Sequence, residues 1–265
     1  MQLWPHHEAA LASIVPELDD KPDALCLILG GSLVRGWGTE ASDIDGHLLI
    51  TDDAFDRAIA ADDLVYKPAK SHCDYPGGYF DLKLVSRRLL EEAAVNGSEP
   101  FRNSYVDARV HWSRLNEPID DLLRAVATYP EDGHAEKLVT LACHLEGMKW
   151  YAGEARKRDD AYLMLWCAQR VVLFAGRLVL AHNRMLFPYH KWLMRMVDRA
   201  PDKPAGLRDK MDAAVGSPSV ETIEPLCDLL LGWQLWGVPP TGWWNPWIRE
   251  TEWAWRSGTP SVDER

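Results

Sequence analysis

Gly30-Gly31-Ser32-Leu33-Val34-Arg35-Gly36-Trp37-Gly38-Thr39-Glu40-Ala41-Ser42-Asp43-Ile44-Asp45 is the stretch that decides the fold of this 265-residue chain. It lies between two apolar runs, residues 24–29 and 47–50, that read as buried strands. Side chains alternate along a strand, so Asp43 and Asp45 share one face while Ile44 takes the other. Two carboxylates at one spot repel unless a cation sits between them, and hard oxygen donors there favour magnesium. Upstream, Gly30 and Gly31 leave the backbone bare at a strand-to-helix turn, where N–H groups and the Ser32 hydroxyl can hold a phosphate. A phosphate cradle beside a metal-binding carboxylate pair is apparatus for phosphoryl or nucleotidyl transfer.

The ordered set of strand, Gly-Gly-Ser, short helix, Gly-x-Gly-Thr, Ser-Asp-Ile-Asp and strand resembles the nucleotidyltransferase superfamily. That superfamily includes DNA polymerase beta and the aminoglycoside nucleotidyltransferases. The resemblance spans about residues 22–90. It implies an α+β fold, with a small mixed sheet flanked by helices. It also implies a third carboxylate on a later strand. Asp81 fits, in Gly78-Tyr79-Phe80-Asp81-Leu82-Lys83-Leu84-Val85, where alternation with Phe80, Leu82 and Leu84 puts it on the polar face. By the same resemblance Asp43 and Asp45 hold two Mg2+ ions, and Asp81 completes one site and is the first candidate for general base. Gly30, Gly31, Ser32 and Ser42 are expected around the nucleotide phosphates, with Arg35 assisting. ATP is the expected co-substrate.

Composition sets bounds on partners. Hydrophobic residues make up 47% of the chain, enough for a sizeable core. The apolar region 161–181 is interrupted by Gln169, Arg170 and Arg177 and does not read as a membrane span. The start has no basic flank leading into an apolar segment, hence no secretion signal. Five cysteines in scattered or apolar settings read as reduced thiols, and a cytoplasmic location is expected. Before residue 121 stand 21 of the 40 acidic side chains but only 11 of the 29 basic ones. Affinity for nucleic acid comes largely from neutralising phosphates, so this balance argues against a nucleic-acid partner. An acidic surface instead favours a small cationic molecule.

The chain reads as two domains, a nucleotidyltransferase domain over 1–129 and a helical substrate- and nucleotide-binding domain over 130–265. The boundary is set at Tyr129-Pro130-Glu131-Asp132-Gly133. In the first part, helices are expected over 8–18, 53–60, 86–95 and 117–128, and strands at 64–66, around Asp81 and over 105–112. Beyond Gly133, Leu138, Leu141, Ala142, Leu145 and Met148 form one helical stripe. Leu163, Trp166, Cys167, Val171, Phe174 and Leu178 form a second. Two such helices are expected to pair antiparallel. Arg170, Arg177 and Arg184 recur every seven residues, as a cationic ridge or a solvated face. Lys191, after the turn at Pro188, resembles a phosphate-reaching lysine of aminoglycoside adenylyltransferases. Glu146 is the second candidate base. Seven tryptophans between Trp233 and Trp255 could stack on a ligand, or dock the tail by burial.

The sequence therefore points to transfer of a nucleoside monophosphate, AMP from ATP, onto the hydroxyl of a small molecule, an aminoglycoside-like antibiotic among the candidates, with release of pyrophosphate. Two alternatives stand beside it. One is the same chemistry on a protein or tRNA, as in toxin and antitoxin systems. The other is a nucleotide-binding regulatory module without turnover.

Overall fold

A computed structural model describes residues 3–256 and 258, and the chain divides into two compact units, Met1–Thr128 and Tyr129–Arg265. In the first unit, helix α1 (Pro5–Asp19) precedes strand β1 (Ala24–Leu29) and the single turn of α2 (Gly31–Val34). Strand β2 (Ile44–Ile50) leads into α3 (Asp52–Ala60), whose first turn is capped by the Thr51 hydroxyl. A two-residue strand β3 (Val65–Tyr66) and a 3-10 turn (Lys70–His72) precede β4 (Phe80–Ser86). Ser86 caps α4 (Arg87–Asn96), which stops at Gly97, and α5 (Glu99–Ser104), β5 (Arg109–Ser113) and α6 (Asp120–Val126) follow.

The five strands form one mixed sheet in the order β3-β4-β2-β1-β5. Only β2 and β4 run parallel. One face of the sheet, with Leu27, Leu29, Leu48 and Leu82, buries Leu11, Ile14 and Leu18 of α1. The other, with Cys26, Ile28, Leu49 and Val85, packs on Leu90, Tyr105, Leu123 and Val126. Both faces are covered, so β1 and β2 are nearly continuous apolar runs.

Two expectations for this unit need correction. Residues 105–108 are not strand: Ser98 caps α5, Tyr105 ends it with its ring buried, and β5 starts only at Arg109. The helix expected over 117–128 is shortened to Asp120–Val126, since Ile119 sits outside helical geometry. Buried Arg102 ties this corner together, donating to the carbonyls of Ala94, Val95, Gly97, Val126 and Thr128 at 2.9–3.3 Å.

The second unit is helical. Helices α7 (His134–Arg158) and α8 (Ala161–His182) pack along one another and share a core with α9 (Leu193–Arg199), α10 (Leu207–Gly216), α11 (Val220–Leu231) and the short α12 (Trp244–Glu250). By length and composition α8 alone among the described helices could cross a membrane, but more than half of its most apolar window is buried in this core. Within the tail, Trp236 and Trp247 are buried, whereas Trp244, Trp253 and Trp255 stay exposed. Gly147 makes room for that docking: a Cβ there would stand 2.8 Å from the Trp247 ring. The row of arginines is not a single ridge. Arg177 lies over the Phe187 ring, and Arg184, beyond the end of α8, pairs with Glu131. All five cysteines are free thiols, Cys73 half-buried and the others buried.

Candidate active site

The site stands where β1 ends and β2 and β4 begin. The Gly30 N–H donates to the Asp45 carbonyl at 2.9 Å, closing the turn onto β2. Gly31 has φ +68°, and a Cβ built on it would fall 2.0 Å from Asp45 Oδ2. Glycine is needed here for both reasons, and the absent side chain lets the Asp45 carboxylate lie against the backbone of the turn. In the parallel β2–β4 ladder Asp45 is paired with Asp81. The two carboxylates are therefore neighbours on one face, in line with Leu49 and Val85 further along their strands.

Asp43 joins them through Tyr79. The Tyr79 carbonyl accepts from the Ile44 N–H at 3.0 Å, and its phenol stands beside the Asp43 carboxylate. The Asp43 carboxylate, with smaller contributions from burial, Asp81 and Asp45, pushes the phenol up to about 12. Asp81 also accepts from Lys83 Nζ at 3.2 Å. Behind the pair, His47 is buried and stacked on Tyr105, with ring centroids 4.4 Å apart. Burial, reinforced by Lys83, pushes the His47 pKa down to about 3, so the imidazole is neutral.

Whether these groups fit magnesium is decided by their chemistry. Among the described residues no three His, Cys, Asp or Glu side chains are arranged around one point. Asp43, Asp45 and Asp81, expected to hold two ions between them with Asp81 completing one site, do not stand as a three-carboxylate cluster around one point. Magnesium does not require one: it is commonly held by one or two carboxylates, with water and substrate phosphate completing the shell. The register-paired Asp45 and Asp81, hard oxygen donors on adjacent strands, fit that pattern. Asp43 stands one strand position out, on Tyr79.

The loop ahead of Asp43 is held more firmly than the sequence suggested. The Ser42 carbonyl accepts two bonds, from His7 Nε2 and from the Tyr75 hydroxyl, each at 3.0 Å. His7 Nδ1 accepts the Trp4 N–H at 3.3 Å, which assigns the proton to Nε2. Burial lowers the His7 pKa, opposed by its bond to Ser42. His6 reaches the Glu40 carbonyl at 2.8 Å and packs on Tyr75, their rings 4.4 Å apart. The Ser42 hydroxyl accepts from the Thr39 N–H at 2.8 Å, inside the turn. The Ser32 carbonyl takes the N–H groups of Trp37 and Gly38. Arg35 lies over the Trp37 ring and donates to Asn103, to its backbone carbonyl and, at 2.9 Å, to its side-chain oxygen. His7, Tyr75 and Tyr79 thus position the motif. Periodicity carried no sign of them, since two of the contacts join residues more than 30 positions apart.

Glu146 and Lys191 belong to the second unit. Glu146 is half-buried on α7, and its charge adds to the burial that pushes the Cys143 thiol up to about 11 and that of Cys227 to about 12. Lys191 lies on a 3-10 turn (His190–Trp192) before α9, its ammonium 5.5 Å from the Trp192 ring centroid.

No family model and no curated protein matches this chain. Among solved structures it is similar to a nucleotidyltransferase-like protein from Exiguobacterium sibiricum 255-15, with a TM-score of 0.46 and 12% identity over 84% of this chain and 74% of that one.

Proposed function

We propose that this protein is a magnesium-dependent nucleotidyltransferase that moves AMP from ATP onto a hydroxyl of a small molecule and releases pyrophosphate. The observation that carries the reading is the register pairing of Asp45 with Asp81 beside the bare Gly31 turn. Asp45 and Asp81 would hold the metal, which supplies charge neutralisation on the phosphates when bound. The turn at Gly31 and Ser32 leaves backbone open to the terminal phosphates. The acceptor oxygen attacks the α-phosphorus, the bond to the β-phosphate oxygen breaks, and pyrophosphate departs with that electron pair. Asp81 is the carboxylate we assign to accept the acceptor's proton. Tyr79 and Lys83 keep Asp43 and Asp81 oriented. The acid excess before residue 121 supports a cationic acceptor, an aminated sugar being one such class.

Pyrophosphate release from ATP and Mg2+ across a panel of hydroxylated acceptors tests the reading. Asp45→Ala is expected to lose turnover by about 10²-fold or more with the fold retained, as transition-state charge loses its stabilisation. Near-wild-type turnover in that variant would remove the site from the mechanism.

A further inference from the structure

Two histidines in the first turn of α1 hold the loop ahead of Asp43 by its carbonyls, His6 at Glu40 and His7 at Ser42. His7 is the more constrained of the two. It is fully buried, and the rings of Trp4, His6 and Tyr75 stand around it with centroids 5.6, 4.2 and 5.1 Å away. Both ring nitrogens are in use, Nε2 as donor to the Ser42 carbonyl and Nδ1 as acceptor from the Trp4 N–H. A neutral imidazole has one donor and one acceptor and matches these partners, whereas an imidazolium has two donors. Protonation at Nδ1 would set two N–H groups head to head and leave a charge out of reach of water. Relief comes from moving the ring outward, which takes the donor from Ser42 and the acceptor from Trp4 together. Burial accordingly lowers the His7 pKa from the ordinary 6.5, opposed in part by the Ser42 bond. Of the titratable groups nearby, His6 acts on His7 directly and also disfavours its charge. Tyr75 shares the Ser42 carbonyl from the loop before β4, and Cys73 and Asp43 act on Tyr75. The Glu8 and Glu40 residues are exposed.

We propose that His7 is a pH-sensitive latch: neutral, it closes the first turn of α1 onto the loop ahead of Asp43, and protonated, it releases both. The latch is closed above the ordinary histidine range and opens as pH falls through the lowered folded value. It is defined by hydrogen bonds within the first unit, so it stands independently of the transferase reading. Where that reading holds, opening frees the loop that leads into Asp43.

The full-length protein should be followed by long-range proton–nitrogen NMR of its histidine rings and by amide hydrogen exchange between about pH 7.5 and about pH 5, exchange being corrected for the intrinsic effect of pH. His7 is expected as the Nε2–H tautomer, titrating below 6.5. Exchange in segments 4–8 and 39–45 is expected to rise about ten-fold or more along the same curve, since two hydrogen bonds are lost at once. His7→Gln supplies an acceptor for Trp4 at the third helical position, as in a capping box, and a donor for Ser42, but takes no proton in this range. It should stay protected at both ends of the range. His7→Ala should exchange fast throughout, and His6→Gln should keep the pH-dependent step. An Nδ1–H tautomer at neutral pH, exchange in 39–45 that does not follow the His7 titration, or a step that survives in His7→Gln or vanishes in His6→Gln overturns the proposal.

Discussion

Replacing Gly31 by alanine, with Gly36→Ala as its control, separates the backbone requirement of the turn from its role beside Asp45. Both glycines are left-handed, at φ +68° and +66°, so both substitutions bear the same conformational penalty of about 1–2 kcal/mol. They differ in what the new Cβ meets. At Gly36 nothing lies within 4 Å, whereas at Gly31 the Cβ falls 2.0 Å from Asp45 Oδ2 and 2.4 Å from Asp45 Cβ. A rotamer change of the carboxylate relieves only the first contact. The second forces the turn or β2 itself to recede by about 1 Å to reach ordinary van der Waals distance. Overpacking of this kind adds about 1–3 kcal/mol. A displacement near 1 Å at a reacting centre costs on the order of 10²-fold in rate. We therefore expect Gly31→Ala to be less stable than Gly36→Ala by about 1–3 kcal/mol in urea unfolding. Magnesium-dependent ATP binding by calorimetry and pyrophosphate release should fall about 10²-fold in Gly31→Ala and stay near wild type in Gly36→Ala. Matching behaviour of the two variants would refute the placement of Asp45 against the turn.

Arg102→Lys exchanges five donors in a fixed fork for a point charge and leaves buried carbonyls of the α4 and α6 ends unmatched; a loss of about 2–4 kcal/mol is expected in chemical denaturation, and a loss below 1 kcal/mol would refute the accounting. Glu17 ties α1 to the segment that ends in Tyr75. Burial alone would raise its pKa, but bonds from the Tyr66 hydroxyl, His72 Nε2 at 2.7 Å and the Ala69 N–H outweigh burial and lower it. The stability it contributes is thus present above the ordinary carboxylate range and lost as pH falls through the lowered folded value. Glu17→Gln should cost about 1–3 kcal/mol at pH 7 and flatten the acid limb of a pH–stability curve. His47 gives the same direction of dependence at higher pH, because its folded pKa near 3 lies below the ordinary 6.5. Its contribution is complete above pH 6.5 and falls by up to about 3 kcal/mol by pH 4, a loss that His47→Leu should lack in urea titrations at pH 7 and pH 4.

Local signals carry much of the first unit. The apolar runs flanking Gly30 to Asp45 are β1 and β2, Ser86 caps α4, and Asn96-Gly97 ends it. The alternation of Tyr105 to Trp112 extends the strand signal four residues ahead of β5, while the cap signal in Ser98-Glu99-Pro100 marks the start of α5. Periodicity assigned Asp81 to a face but not to a neighbour. Its pairing with Asp45 depends on β4 entering the sheet beside β2, a choice of topology that no short window contains. The same holds for the Ser42 carbonyl, where His7 and Tyr75 arrive from a helix start and from a loop beyond β3. Tryptophan content showed a tail rich in stacking surface. Which rings are buried was decided by where the core left room, as at Gly147.

The cost of the carboxylate pair bears on the proposed reading of the site. Adjacent strands stand about 5 Å apart, and two unit charges at that separation repel by about 3 kcal/mol at an effective dielectric constant of 20. Lys83 offsets part of this at Asp81, but it is exposed, and exposed pairs contribute little in salt water. Tyr79 adds one hydroxyl at Asp43, and Gly31 lets Asp45 approach uncharged backbone. Behind them His47 is neutral and buried against Tyr105. On the proposed reading, a divalent cation carrying its own anionic ligands would relieve that repulsion and meet the turn at Gly31 in the same step, so Asp81→Asn, which halves the charge of the pair, should weaken magnesium-dependent ATP binding in calorimetry, and unchanged binding would refute this use of the pair.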